Sequence, residues 1–415
     1  MSILQHIHIK SFKSIQDQKI QLGQLNVFIG TNGAGKSNLL EAVGMLSAAA
    51  TGEIDYNKLA ERGVRLSSPE VFRSAFSKID RKMTFFLEAG FKKFLYHANI
   101  TSLENSGARN EWGYHAERLS RGSRYNTKIA GRSNRIAVIQ KYPAFDKAAL
   151  KRHQSIIASV ETLGGFSDSE LDSLNALRDF SIYSPSTPIL RGVSNDESHK
   201  VPLGIYGGSL AKALNEILLN KSEKELDHIR EFFKLLDWFS SVGSTKPDPL
   251  LQSSHVHTGP LVVSFKDKFM PQKFKGLYAY DVSEGALYVL FVLVLLVHPK
   301  APSIFALDNV DNALNPGLVT SLINFISDFL GRHPNKQVLM TTHNPTTLDA
   351  LDLFNLNHRL FVVQRDRGGA TVFERITPPD GMTREQWQEK YGYMKLSEVW
   401  LSGVLKGINP PPTGF

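Results

Sequence analysis

The run Gly30-Thr-Asn-Gly-Ala-Gly-Lys-Ser37 is a complete GxxxxGKS phosphate loop, and it constrains the chain more than any other feature. An apolar stretch, Leu25-Asn-Val-Phe-Ile29, leads into it, and the spacing after it predicts a helix over Asn38–Ala50. Glycines here let successive backbone N–H groups turn toward phosphate oxygens, at the positive end of the helix that follows. Lys36 is placed to reach the β- and γ-phosphates, and the Ser37 hydroxyl to ligate Mg²⁺. Asn32, Gly33, Ala34, Gly35, Lys36, Ser37 and Asn38 are therefore candidate contacts to ATP, with Ser37 also a metal ligand.

The loop alone does not separate kinase, GTPase, helicase and transporter-type ATPase. Three later segments narrow the choice. Ile304-Phe-Ala-Leu-Asp308 is an apolar strand ending in a carboxylate, which suits an Asp that holds Mg²⁺. Ser283-Glu-Gly285 opens a strongly apolar helix, where its hydroxyl and amides offer donors to a γ-phosphate. Gln337-Val-Leu-Met-Thr-Thr-His343 is a further strand that delivers an imidazole at its end. Thr245-Lys-Pro-Asp248 mimics a guanine-specificity motif, but its neighbours predict a turn rather than the end of a buried strand.

With 415 residues the chain exceeds one ordinary core, so more than one folding unit is expected. Short apolar strands at Leu25–Ile29, Ile304–Leu307, Gln337–Thr341 and Leu360–Gln364, separated by helical text, predict an α/β fold with a mostly parallel sheet. Strand-like segments at Ile3–Ile9, Met83–Leu87, Phe94–Ile100 and Trp112–Ala116 add an antiparallel patch. The text from Asp146 to Asn220 and again over Lys224–Phe239 reads as helical. The expected division is residues 1–116 and 261–415 as two halves of one head, with a helical, basic insertion at 117–260.

These motifs, in this order, resemble the ABC-type ATPases of the RecF/SMC/OLD group, including the stand-alone ATPases often labelled AAA-family. Gly30–Leu39 looks like their Walker A segment, Ser283-Glu-Gly285 like their signature, Phe305–Pro316 like Walker B with its D-loop, and Thr341–Pro345 like their switch-histidine loop. The likeness extends to Ser11-Phe-Lys-Ser14, Ser181–Gly192, Gly207-Gly-Ser-Leu-Ala211 and Leu396–Gly403. It implies ATP and Mg²⁺ as cofactors and Lys13 beside the nucleotide. It also implies head-to-tail dimers or higher oligomers in which Ser283 and Gly285 complete the neighbour's site. Asp308, Asn309 and His343 take the catalytic positions. One departure stands out. The group carries Glu directly after the Walker B carboxylate, whereas this chain carries Asn309, and Asn cannot take a proton near pH 7. Asp311 is the nearest alternative acid.

Three functional readings follow: an ATPase that controls a separate effector, plausibly a nuclease in phage defence or DNA maintenance; an ATP-dependent scaffold with negligible turnover; and a repair ATPase acting directly on DNA. The third rests on charge. Net charge is +8, and ten basic residues between Arg118 and Arg152 face a single acid, Asp146. Such a block is a candidate nucleic-acid surface or a solvated face. His255 and His257 share a strand face without a third ligand, and His6 and His8 read as strand-face residues. With no cysteine there are no disulfides or thiolate sites. The longest apolar run, Ala286–Val297, is too short to span a bilayer. Neither a secretory leader nor an appended nuclease is expected, and the predicted location is cytoplasmic.

Overall fold

A computed structural model of the chain describes residues 3–77, 79–103, 112–133, 136–140, 148–220, 227, 236, 238–248, 259–271, 276–309, 311, 314–379 and 381–403. Two compact units emerge. The first comprises Met1–Ile182, Pro302–Val310 and Leu330–Phe415, and the second Tyr183–Ala301 and Asp311–Phe329.

The phosphate loop belongs to the first unit and leaves the centre of a six-stranded sheet. The strand order is Ile182–Tyr183, Ile304–Leu307, Gln337–Thr342, Leu25–Ile29, His358–Arg365, Thr371–Ile376. Leu25–Ile29 runs parallel to both neighbours, and Ile304–Leu307 parallel to Gln337–Thr342. Every residue of these three strands is buried, which explains their largely apolar sequences. The edge strand Thr371–Ile376 runs antiparallel to His358–Arg365.

A second sheet in the same unit is antiparallel throughout, in the order Ile15–Gln21, His6–Phe12, Thr84–Gly90, Phe94–Ser102, Trp112–Arg121, Thr127–Ser133, Ile136–Ile139, Ala148–Ala149. Helix Lys36–Ala49 touches strands of both sheets and is buried along nearly its whole length. A helix without a wet face has no need of a polar stripe. Its three buried polar residues all have partners, Lys36 at the Gly30 and Thr31 carbonyls. Ser47 accepts from Arg62, and Glu41 pairs with Lys13 and Arg65.

The expected boundary at 116/117 falls inside the strand Trp112–Arg121, and residues expected to be helical and basic continue the antiparallel sheet. Charge concealed this in the sequence. Arg132 lies at the core, with its guanidinium 3.6 Å from the buried Glu117 carboxylate. Among the described residues of this stretch the first helices are Ile156–Thr162 and Asp168–Arg178, the latter opened by a Ser167/Glu170 capping box.

The second unit holds a three-stranded antiparallel sheet, Phe239–Thr245, Val262–Asp267 and Leu277–Tyr278. Helices Leu210–Asn220 and Glu284–Val297 accompany it, the latter buried from Ala286 to Val297. Phe239 thus opens a strand where a helix end was expected; most of 224–238 lies outside the described residues, as do His255 and His257. Thr245-Lys-Pro-Asp248 follows a strand rather than a turn, but that strand is the half-buried edge of an antiparallel sheet. Among the described residues no helix is long and apolar enough to cross a membrane.

Candidate nucleotide site

Local geometry at the phosphate loop follows from its glycines. Gly33 and Gly35 hold φ of 77° and 109°, a region that side chains other than glycine's rarely enter. Gly35 has a second reason to be glycine, since a Cβ there would stand 2.1 Å from Thr371 Oγ1 and 2.9 Å from Ser14 Oγ. The Lys36 ammonium donates to the Gly30 and Thr31 carbonyls at 2.7 and 3.0 Å, so it spans the cradle that the loop forms.

Asp308, at the end of Ile304–Leu307, meets the helix across the sheet. Ser37 Oγ donates to its two carboxylate oxygens at 3.2 and 3.0 Å. Thr341, from Gln337–Thr342, donates its hydroxyl to the same carboxylate and accepts the Asn309 backbone N–H at 2.9 Å. Asn309 itself sits at φ 55°. Asn tolerates that conformation better than most residues, so the backbone supplies a local reason for Asn at this position. His343 follows directly as an exposed residue at the strand's end, and Asn344 then caps the short 3₁₀ helix Pro345–Ala350.

Sequence-expected contacts divide clearly. Ser37 and Asp308 are brought into contact, Lys36 reaches the Gly30 and Thr31 carbonyls, and Asn32 and Gly33 are exposed. Asn38 is committed elsewhere. It donates to Ser14 Oγ at 2.7 Å and accepts from Arg65 at 2.9 Å. Lys13 is also committed: its ammonium pairs with Glu41 and lies 4.5 Å from the Phe72 ring centre. Burial lowers its pKa against the opposing pull of Glu41. Ser283 and Gly285 belong to the second unit, where Ser283 caps helix Glu284–Val297 by accepting from Ala286 N at 3.4 Å. Asp311 is likewise in the second unit and is buried.

Sequence reasoning missed the residues that brace the loop from behind. Thr371 Oγ1 donates to Ala34 O at 2.8 Å and shares a 2.7 Å hydrogen bond with Ser14 Oγ. Arg365 Nε donates to Gly33 O at 3.1 Å. These bonds engage the loop's carbonyls from outside. Nothing in a lone Thr after a Gly-Gly turn announces that role. Arg65, held by Glu41, has its pKa raised by that hydrogen bond and further by the Asp308 charge.

The donor set fits a nucleoside triphosphate with Mg²⁺. A hydroxyl and a carboxylate 3.0 Å apart are the oxygen ligands such an ion takes from protein, with phosphate and water supplying the rest. Among the described residues no group of three His, Asp or Glu side chains offers a rival all-protein cage.

The basic stretch is less free than its composition implies. Arg132 is a core residue, and Arg121 pairs with Glu170 and donates to Gly165 O at 2.8 Å. Arg118, Arg124, Lys151 and Arg152 are exposed; Arg135, Lys141 and Lys147 lie outside the described residues. His6 and His8 pair with Glu88 and Asp17.

Residues 25–349 match the family described as AAA domain, putative AbiEii toxin, Type IV TA system. The chain belongs to this family. Over 181 residues it is 26% identical to the lipoprotein-releasing system ATP-binding protein LolD of Porphyromonas gingivalis, covering 40% of this chain and 78% of that protein. A 51-residue stretch is 41% identical to an uncharacterized protein of Methanocaldococcus jannaschii, covering 12% and 23% of the two chains. Among solved structures, an SMC head bound to the C-terminal winged-helix domain of ScpA superposes with a TM-score of 0.52 at 14% identity, over 91% of this chain and 99% of that one. Fold and family agree on an ABC-type, SMC-like ATPase head.

Proposed function

We propose that this chain binds ATP with Mg²⁺ at the Gly30–Ser37 loop and associates through the nucleotide with a second copy, head to tail. The observation that carries this reading is the Ser37–Asp308 contact, which joins loop and Walker B carboxylate into one oxygen-lined metal position. Ser283 and Gly285, in the other unit, supply a hydroxyl and amides at the start of a 14-residue helix, suited to the γ-phosphate held by a neighbouring copy.

Turnover in this reading is slow. Asn309 stands where a general base would act, and the residue that fixes its backbone, Thr341, has no basic character. A nucleotide-closed dimer that persists is suited to holding a separate effector in one state, and an effector nuclease of a defence or DNA-maintenance system is the form we propose. An ATP-dependent scaffold with negligible turnover differs from this only in rate. Direct action on DNA loses ground because Arg121 and Arg132 are spent on internal partners.

Sedimentation velocity with and without ATP–Mg²⁺ tests the association. Wild type should double in mass with nucleotide, and Ser283→Arg should stay monomeric while still binding ATP. A mass that never responds to nucleotide rules the reading out.

A further inference from the structure

Two sequence stretches have no part in the nucleotide chemistry described so far: Ser181–Gly192 and Gly207-Gly-Ser-Leu-Ala211. In the second unit, Thr187–Arg191 reaches the start of helix Glu284–Val297, and Gly207 packs between Leu190 and that helix's Phe291. Thr187 donates its hydroxyl to the Glu284 carboxylate. Arg191 Nη2 donates to Val282 O at 3.1 Å. The residues on either side of Ser283 are thus tied to one short segment, while Ser283 itself stays exposed.

That segment is in turn fixed from behind. Ser184 N and Ser186 N donate to Ile205 O and Tyr206 O at 3.1 and 3.0 Å. Gly207 follows at φ 104°, so close that a Cβ would stand 2.3 Å from Leu190 Cδ2 and 3.4 Å from Phe291. Leu190 lies between Thr187 and Arg191, and Phe291 is in the signature helix itself. Glycine at 207 therefore sets the seating of the whole brace against that helix.

We infer that Thr187 and Arg191 are positioning residues for the signature: Arg191 holds the Val282 carbonyl and Thr187 the Glu284 side chain, one on each side of Ser283, so that its hydroxyl and the following amides present one geometry to a phosphate. This rests on the reading that Ser283 completes a neighbour's site. A helix N-cap alone allows the preceding residue to swing; two side-chain anchors from a separate segment remove that freedom before the ligand arrives, which lowers the ordering cost of binding.

The test compares Thr187→Val, which keeps shape and loses the hydroxyl, with Thr187→Ser, which keeps the hydroxyl. Each is titrated in protein concentration at saturating ATP–Mg²⁺, with ATP affinity of the monomer and thermal unfolding measured alongside. Thr187→Val should raise the midpoint for ATP-driven association roughly three- to tenfold, the worth of one hydrogen bond to a charged group near the surface. Monomer ATP affinity should hold, and Thr187→Ser should stay within about twofold of wild type. Arg191→Met should act in the same direction as Thr187→Val, and Arg191→Lys more weakly. An unshifted Thr187→Val midpoint overturns the inference alone, as does a Thr187→Ser shift equal to that of Thr187→Val. A wild type that does not associate with ATP overturns it together with the reading it rests on. If Thr187→Val unfolds early, the Thr187→Ser and Arg191→Met midpoints carry the decision on the same terms.

Discussion

Ser37 and Asp308 are 271 residues apart in sequence, and their side chains meet at 3.0 Å. One comes from the first turn of the phosphate-loop helix and the other from the end of a strand two places away in the sheet. Replacing Asp308 by Asn keeps the hydrogen bond and removes the charge that Mg²⁺ needs. Affinity for ATP with Mg²⁺ should fall by roughly tenfold, while affinity in chelator should barely change. Fluorescent-nucleotide titration under both conditions checks this.

Thr341 holds both members of the Asp308–Asn309 pair. Thr341→Val leaves the Asn309 N–H without its Thr341 acceptor and the Asp308 carboxylate with Ser37 but without its Thr341 donor, at a cost of about 1–3 kcal/mol. Single-turnover hydrolysis should slow by tenfold or more, and Thr341→Ser should recover most of it. Equal loss in both variants would mean that the methyl group, not the hydroxyl, matters.

Asn309→Glu places a carboxylate where the attacking water needs a base. A positioned base contributes about 10²–10⁴ in rate, against roughly 1–2 kcal/mol for putting Glu at a left-handed backbone position. The variant should therefore hydrolyse faster despite lower stability. Brisk wild-type turnover that collapses in Asp311→Asn would instead assign the base to Asp311.

Behind the loop, Thr371→Val removes two hydrogen bonds that fix Ala34 O and Ser14 Oγ. ATP affinity should weaken about tenfold. Gly35→Ala should abolish binding, because its Cβ collides with Thr371 and its φ of 109° is unsuited to any side chain. Calorimetric titration of both variants measures the difference.

Glu117 gives the fold a pH signature. Burial lifts its pKa to about 7, against donation from Ser155, the Ile156 N–H, Tyr96 and the charge of Arg132. The folded state then binds more protons than the unfolded state between pH 4.5 and 7, so this group's contribution is full below about 4.5 and is lost as pH rises toward 7. The decline should amount to roughly 3 kcal/mol. Urea midpoints across that range should fall in wild type and flatten in Glu117→Gln, relative to the rest of the titration.

Reading the sequence located the parallel strands well because their centres are buried on both faces, and a short, largely apolar run has few other uses. Leu25–Ile29 and Ile304–Leu307 came out at their observed bounds. The antiparallel sheet was only half legible. Ile15–Gln21 is buried chiefly at its ends, so its middle reads as loop. Thr127–Ser133 carries Arg132 inward, where the Glu117 carboxylate and the Lys151 and Gln154 carbonyls receive its guanidinium. Chemistry that depends on spacing, such as the phosphate loop, was visible in one dimension. Bracing by Thr371, Thr341, Thr187 and Arg191 was not, since single hydroxyls and guanidiniums acquire those roles only from partners brought in by the fold.

Mixing two crippled variants tests the head-to-tail account most directly. Lys36→Ala lacks a phosphate grip but keeps its signature, and Ser283→Arg lacks a signature but keeps its grip. Neither should form a nucleotide-dependent dimer alone. Mixed in equal amounts with ATP–Mg²⁺, they should yield a heterodimer carrying one intact composite site, seen as a doubled mass by sedimentation velocity. If the mixture stays monomeric while wild type dimerises with ATP, Ser283 does not serve a neighbour's nucleotide and the central claim is contradicted.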